Sequence, residues 1–365
     1  MDEIPDENAP NLRRGWTTGA CAAAAARAAY AALMGGEFPD PVTIRLPGGQ
    51  TPAFALALTE CGETFCRAGV VKDAGDDPDV THGATIIARV SRGAPGAGVT
   101  FAAGEGVGVV TKPGLPLPVG EPAINPMPRK MIREAIEAEA AVCGGTTDIH
   151  VEISIPGGAK IAERTLNGRL GIVGGLSILG TTGIVTPFSC AAWIASIHRG
   201  IDVARALGLD LVAGATGSTS EAAVKALHGL PEESLIDMGD FVGGMLKYLR
   251  RHPVRRVVVA GGMAKMTKLA QGLLDLHSKR GAVDLDFLAG FADGETAEKI
   301  RGANSAKHAF EIAEAAGLDI AGAVAEAAWR TAAAPLRGAG SELEIVVFDR
   351  NGGLLARTGL RPVGA

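Results

Sequence analysis

The sequence predicts two domains of different class: an α+β N-terminal domain with an antiparallel or mixed sheet over residues 1–187, and an α/β, Rossmann-like, three-layer C-terminal domain over residues 188–365. Three observations predict it. The 365 residues exceed what a single core of ordinary size holds. The first half mixes short alternating apolar-polar runs with loops rich in Gly and Pro. After Pro187, strand-like and helix-like segments alternate, the signature of a parallel sheet covered by helices.

Residues 1–12 are polar, carry two prolines and read as a flexible lead-in. Thr17-Thr18-Gly19 then offers a threonine cap for an alanine-rich helix that runs to Met34 and stops at Gly35-Gly36. Residues 42–46 alternate before Pro47-Gly48-Gly49 and are followed by 54–58, which reads as a hairpin. Residues 151–155 alternate before Pro156-Gly157-Gly158 and read as a second. Between them, 126–141 is a helix with Arg129, Lys130 and Arg133 in its early turns.

Residues 170–197 hold no charged side chain and are long enough to cross a bilayer. Their glycines, Pro187 and several hydroxyls argue instead for a buried strand, a turn and a helix. Downstream, 190–207 is a helix, 210–213 a strand, and a helix starts at Ser218. Then come a strand over 234–238, a helix over 241–251, the strongest strand over 254–260 and a helix over 265–279. Residues 304–334 are mostly helical, and 342–348 form the closing strand.

The net charge of -5 argues against a nucleic-acid or anionic-membrane partner, so any anionic ligand must meet a local positive site. The five cysteines lack paired CxxC spacing and read as reduced thiols. The acidic start Met1-Asp2-Glu3 lacks the features of a secretory signal, so a cytoplasmic location is expected.

Gly214-Ala215-Thr216-Gly217-Ser218 leaves a strand and enters a helix, with Ser218 and Glu221 at capping-box spacing. Gly214, Thr216, Gly217 and Ser218 can present N–H groups and the positive helix end to the carboxylate or ribose of a nucleoside cofactor. The full GxGxxG pattern is absent, and an ordinary strand-to-helix turn has the same look. Gly261-Gly262, after the strongest strand, is the rival loop.

Thr17-Thr18-Gly19 and Thr181-Thr182-Gly183 can hydrogen-bond carboxylates without adding charge, or are simply helix caps and turns. The loop Lys72-Asp73-Ala74-Gly75-Asp76-Asp77-Pro78-Asp79-Val80-Thr81-His82-Gly83 packs four carboxylates and a histidine together. Such oxygens can hold a hard cation, but the EF-hand pattern and its closing Glu are missing. Asx-turns explain the aspartates equally well. Lys112, beside the glycine-rich turn Gly104-Glu105-Gly106-Val107-Gly108, and Arg129 can pair with substrate carboxylates; surface cations more often mean only solvation.

Taken as strings, these segments resemble the cobalt-precorrin-5B C(1)-methyltransferase family. The resemblance is carried by Arg14-Gly15-Trp16-Thr17-Thr18-Gly19-Ala20-Cys21-Ala22-Ala23, by the whole 72–83 loop, and by Gly104-Glu105-Gly106-Val107-Gly108. It continues through Thr111-Lys112-Pro113-Gly114, Val119-Gly120-Glu121-Pro122-Ala123-Ile124-Asn125-Pro126, Gly171-Ile172-Val173-Gly174-Gly175 and Ile178-Leu179-Gly180-Thr181-Thr182-Gly183-Ile184-Val185. One departure is Asn167-Gly168, where the family pattern has Asn-Pro.

The resemblance implies S-adenosylmethionine as cosubstrate and a carboxylate-rich tetrapyrrole as acceptor, with cobalt present only as part of that substrate. The reaction would give cobalt-precorrin-6A on the oxygen-independent route to cobalamin. It implies a tetrapyrrole-binding N-terminal domain and a cofactor-binding C-terminal domain. Thr17, Thr18, Lys72, Lys112, Arg129, Thr181 and Thr182 are then expected to meet the substrate, and Gly214, Thr216, Gly217, Ser218, Gly261 and Gly262 the donor. The resemblance supplies no catalytic residues; from the loop's own chemistry, His82 or Asp76 is the candidate to assist a proton adjustment on the ring. No metal site of the protein's own is expected, and a homo-oligomer is left open. Two rival readings are a nicotinamide-dependent reductase, against which the missing GxGxxG counts, and a non-enzymatic tetrapyrrole or cobalt carrier.

Overall fold

An alanine run is the strongest helix former in the chain, and with apolar side chains all round it can sit only inside a core. In the computed structural model, which describes residues 12–364, the helix Thr18–Leu33 does so. Ala20, Cys21 and the alanines on to Ala29 are fully buried. The exception is Arg27, which reaches out to Glu139 on the helix Pro126–Cys143. Small side chains let these two helices approach closely: a Cβ at Gly19 would stand 2.8 Å from the Pro128 ring.

Both helices pack on a five-stranded mixed sheet. Its strand order is Leu58–Cys61, Phe65–Val71, Thr85–Arg92, Ile149–Ser154, Val99–Ala103, antiparallel except for the last pair. The helix Pro126–Cys143 is the crossover that this parallel pair requires. Ala68, Val70, Ile86, Ala88, Val151 and Ile153 face the alanine helix and close the core.

Residues up to Ser189 form one compact unit and residues from Cys190 another. In the second unit the strands Leu235–Asp237, Leu211–Ala215, Arg256–Gly262 and Glu342–Phe348 lie side by side in that order, all parallel. Leu354–Arg357 and Arg361–Pro362 add to the last of them in antiparallel sense. Val212, Ile236, Val257, Val259 and Ile345 bury one face together with four helices, Cys190–Ala206, Val242–Arg251, Met263–Ala270 and Ile320–Leu336. Ala213, Leu235, Val258, Ala260 and Val346 bury the other with the helix Ser218–His228. A strand buried on both faces must be apolar at every position, which is why Val257-Val258-Val259-Ala260 shows no alternation.

Several expectations need correction. Pro156-Gly157-Gly158 does not turn a second hairpin: Gly157, at φ +73°, starts the short helix Gly158–Ala162. The first hairpin is only Val42–Thr43 against Ala53–Phe54, and Leu58–Cys61 belongs to the larger sheet. The helix expected over 265–279 ends at Ala270, because Gly272 takes φ +97°. Ser218 is not a cap, since Gly217 occupies that position and no side chain caps the helix. Nor are all five cysteines free: Cys61 and Cys66 are joined by a disulfide. The turn between the two strands sets these residues directly opposite each other, a cross-strand placement that CxxC spacing does not test. The lead-in over 1–12 lies, apart from Leu12, outside the described residues. Among the described residues no helix is long and apolar enough to cross a membrane.

The first unit depends on backbone-to-backbone contact between segments remote in sequence. A Cβ at Gly15 would stand 2.0 Å from the Ala74 carbonyl carbon, and one at Gly175 would stand 2.2 Å from the Gly106 oxygen. Gly15→Ala is therefore expected to lower stability by about 1–3 kcal/mol or more, read from denaturant midpoints at unchanged slope. A loss within experimental error would show that the 13–16 and 73–75 segments are free to separate.

Candidate functional site

Lys72 is 1% exposed. An unpaired ammonium at such depth would be unfavourable by several kcal/mol, so its partners decide the shape of the loop. Lys72 Nζ forms an ion pair with Asp79 and donates to Thr81 Oγ1 at 2.8 Å. Thr81 N–H and Oγ1–H both donate to Asp79 Oδ1. This closes the 72–81 segment on itself and brings His82 back beside Asp73 and Ala74. Burial alone would raise the Asp79 carboxyl, but Lys72 and Thr81 outweigh it and the net shift is downward.

On the same loop, Asp73 pairs with Arg13, whose hydrogen bonds lower the carboxyl from 3.8 to about 2, with the Gly75 N–H adding to the effect. Asp76 accepts from the backbone N–H of Arg13, and Asp77 from that of Phe188. His82 Nδ1 accepts from the Ala74 N–H at 3.1 Å. Accepting there requires a lone pair on Nδ1, so the ring proton sits on Nε2. A pocket of about 440 Å³ opens here, lined by Asp76, Asp77, Asp79, His82, Arg164 and Phe188. Phe188 is exposed at φ +56°, a left-handed backbone that a bulky residue rarely adopts.

The other residues singled out in the sequence are placed as follows. Thr17 and Thr18 are buried, and their hydroxyls serve the backbone. Thr17 Oγ1 accepts from Ala20 N, while Thr18 Oγ1 accepts from Leu179 N. The two Thr-Thr-Gly words meet: Thr17 N–H donates to Gly183 O and Gly19 N–H to Leu179 O. Thr181 and Thr182 are exposed, with Thr182 Oγ1 accepting from Ile184 N. Lys112 and Arg129 are anchored elsewhere in the unit. The Lys112 stem lies where a Cβ on Gly171 would come within 2.5 Å. Arg129 donates to Ile124 O, Pro122 O and Glu121, and covers the Phe101 ring. Only Asp76 and His82 line the pocket directly, with Lys72 behind Asp79. Asp77 was singled out only as one of the loop's four carboxylates, and Arg13, Arg164 and Phe188 were missed. Asp79-Val80-Thr81 carried an Asx-turn signal for its own role, but no local pattern marks Phe188.

In the second unit the turns that follow Leu211–Ala215 and Arg256–Gly262 lie side by side. Thr216 N–H donates to Ala260 O at 3.0 Å, and a Cβ on Gly261 would stand 2.8 Å from Thr216 Oγ1. Each turn starts a helix behind a glycine, Gly217 or Gly262, with no side-chain cap. Between these two strands the chain order reverses: 235–237 lies to one side of 211–215, and 256–262 to the other. Crevices that bind ligands in parallel sheets open at this kind of reversal, outside the carboxyl ends of the strands. Asp240 and Lys265 form an ion pair nearby, in the segments that follow the strands at 235–237 and 256–262. Among the described residues no group of three or more His, Cys, Asp or Glu is placed to hold a metal ion.

Comparison with known proteins gives one consistent result. The CbiD family model matches residues 5–187, and the model for the CbiD C-terminal domain matches residues 275–359. A cobalt-precorrin-5B C(1)-methyltransferase from Agrobacterium fabrum is 63% identical over 96% of this chain and 94% of its own length. One of the same name from Methylorubrum extorquens is 61% identical over 94% and 97%. A solved structure, cobalamin biosynthesis protein (cbiD) from Archaeoglobus fulgidus, matches at 26% identity over 84% of this chain and 85% of that one, with a TM-score of 0.40. The reductase and carrier readings find no support among these relatives.

Two outcomes test the loop. Lys72→Met leaves Asp79 without its cation and is expected to lower stability by about 3 kcal/mol. Asp73 has a depressed carboxyl, so its contribution is complete above 3.8 and is lost as pH falls toward about 2. The melting temperature should drop across that window, and Asp73→Asn should flatten part of the drop. An unchanged profile would remove Arg13–Asp73 from the account.

Proposed function

The chain belongs to the CbiD family, and from that premise we propose that it transfers a methyl group from S-adenosylmethionine to C-1 of cobalt-precorrin-5B, giving cobalt-precorrin-6A in cobalamin biosynthesis. The observation that carries this reading is identity near 60%, sustained over almost the full length of both chains, with relatives that bear that activity as their name. We read the second unit's sheet, with a core on each face, as Rossmann-like and three-layered. Its Gly214–Ser218 and Gly261–Gly262 turns are the place for the donor. The first unit is read as the tetrapyrrole domain, and a biosynthetic enzyme of this kind is placed in the cytoplasm.

The donor supplies a sulfonium, which leaves as a neutral thioether while the ring carbon provides the electron pair for the new C–C bond. The protein's share is then alignment at near-attack distance and exclusion of water, worth several kcal/mol without any nucleophilic side chain. Uncapped N–H groups behind Gly217 and Gly262 suit the methionyl carboxylate. In the loop pocket, Arg13 and Lys72 already neutralise Asp73 and Asp79. That leaves Asp76 and Asp77 without a cation, and of these we assign Asp76 to accept a ring proton. His82 offers Nε2–H as a donor to a substrate carboxylate.

Anaerobic incubation with ¹³C-methyl donor and cobalt-precorrin-5B is expected to place label on C-1. Asp76→Asn should lower kcat by about 10²–10⁴ if it handles the proton. Absence of label with both substrates bound would refute the assignment.

A further inference from the structure

Trp193 has no part in the reading so far, yet it is 45% exposed in the first turn of the helix Cys190–Ala206. Its indole N–H donates to Asp237 O at 3.0 Å, at the carboxyl end of the strand Leu235–Asp237. The ring edge lies so close over the following turn that a Cβ on Gly239 would come within 3.1 Å of it. Phe241 holds it from one side, with the ring centroids 6.3 Å apart. With its one polar group already bonded, the exposed part of the indole can offer only its π-surface.

Hydrogen bonds tie this ring to the donor turns. Gly239 N–H donates to Ala215 O at 3.1 Å, and Thr216 N–H donates to Ala260 O. The sequence Trp193, Asp237–Gly239, Ala215–Thr216, Ala260–Gly261 therefore forms one continuous shelf along the carboxyl edge of the sheet. Asp237 ends the strand next to Leu211–Ala215, paired with Ala215, and follows Gly217 by about twenty residues. A carboxylate at that place in a parallel sheet is suited to ribose hydroxyls.

We propose that Trp193 is the platform on which the adenine of the methyl donor stacks, with Asp237 receiving the ribose hydroxyls. This rests on placing the donor at the second unit's turns. Every purine has a π-face, so an indole surface contributes affinity without a hydrogen-bond code, and the neighbouring carboxylate supplies selection for a nucleoside. The alternative is that Trp193 only latches the 237–241 turn.

The test is titration with S-adenosylhomocysteine, followed both by calorimetry and by tryptophan fluorescence. The other indoles serve as internal controls: Trp16 packs on Phe54, and Trp329 is bonded to Leu343 O beneath Arg361. Binding should quench the fluorescence. Trp193→Phe should abolish the quench and keep binding, and Trp193→Ala should weaken binding by roughly five- to a hundredfold. The 2′,3′-dideoxy analogue should bind more weakly than the parent to the native protein and equally well to Asp237→Asn. Calorimetric binding with no quench, and with Trp193→Ala within twofold of native, overturns the proposal while leaving the donor reading intact. No calorimetric binding by the native protein overturns both.

Discussion

Direct contact between backbones is the constraint on which the first unit rests. The 13–16 segment lies against 73–75, the 17–19 turn against 179–183, and 106 against 158 and 175. At the first and last of these crossings a side chain would occupy space already filled by main chain, and at the second a Cβ on Gly180 would meet the Thr17 side chain, so these places take glycine. The glycine-rich words that carry the family resemblance are thus largely joints between remote segments. Their hydroxyl neighbours, Thr17 and Thr18, bond the backbone at the same joints.

What the joints hold in place is a loop whose charges are almost all accounted for. Four aspartates at close spacing would repel a polyanionic substrate if left bare. Arg13 and buried Lys72 cancel two of them, and backbone N–H groups hold Asp76 and Asp77 in position. The pocket is then much less negative than its sequence implies. The same hydrogen bonding fixes the tautomer of His82, since a backbone donor at Nδ1 leaves the ring proton on the side away from Ala74.

The sequence exposed those features that depend on neighbours along the chain. Alanines made the helix Thr18–Leu33 legible, and strands without alternation made the doubly covered sheet legible. Features that depend on contacts between distant segments were hidden. Nothing local shows that Cys61 faces Cys66, that Gly157 opens a helix instead of turning a hairpin, or that Arg129 is committed to its own loop. The choice between Gly214 and Gly261 as donor loop had no local answer either, because parallel pairing places both turns on one edge. Trp193 escaped notice for the same reason: its meaning comes from the strand end it rests on.

The central claim is that the methyl donor occupies the carboxyl edge of the second unit's sheet. A crystal structure with S-adenosylhomocysteine bound tests it most directly. The account requires electron density for the nucleoside across the turns at 216–218 and 261–262. Density in the 72–83 pocket, with that edge left to solvent, would contradict it.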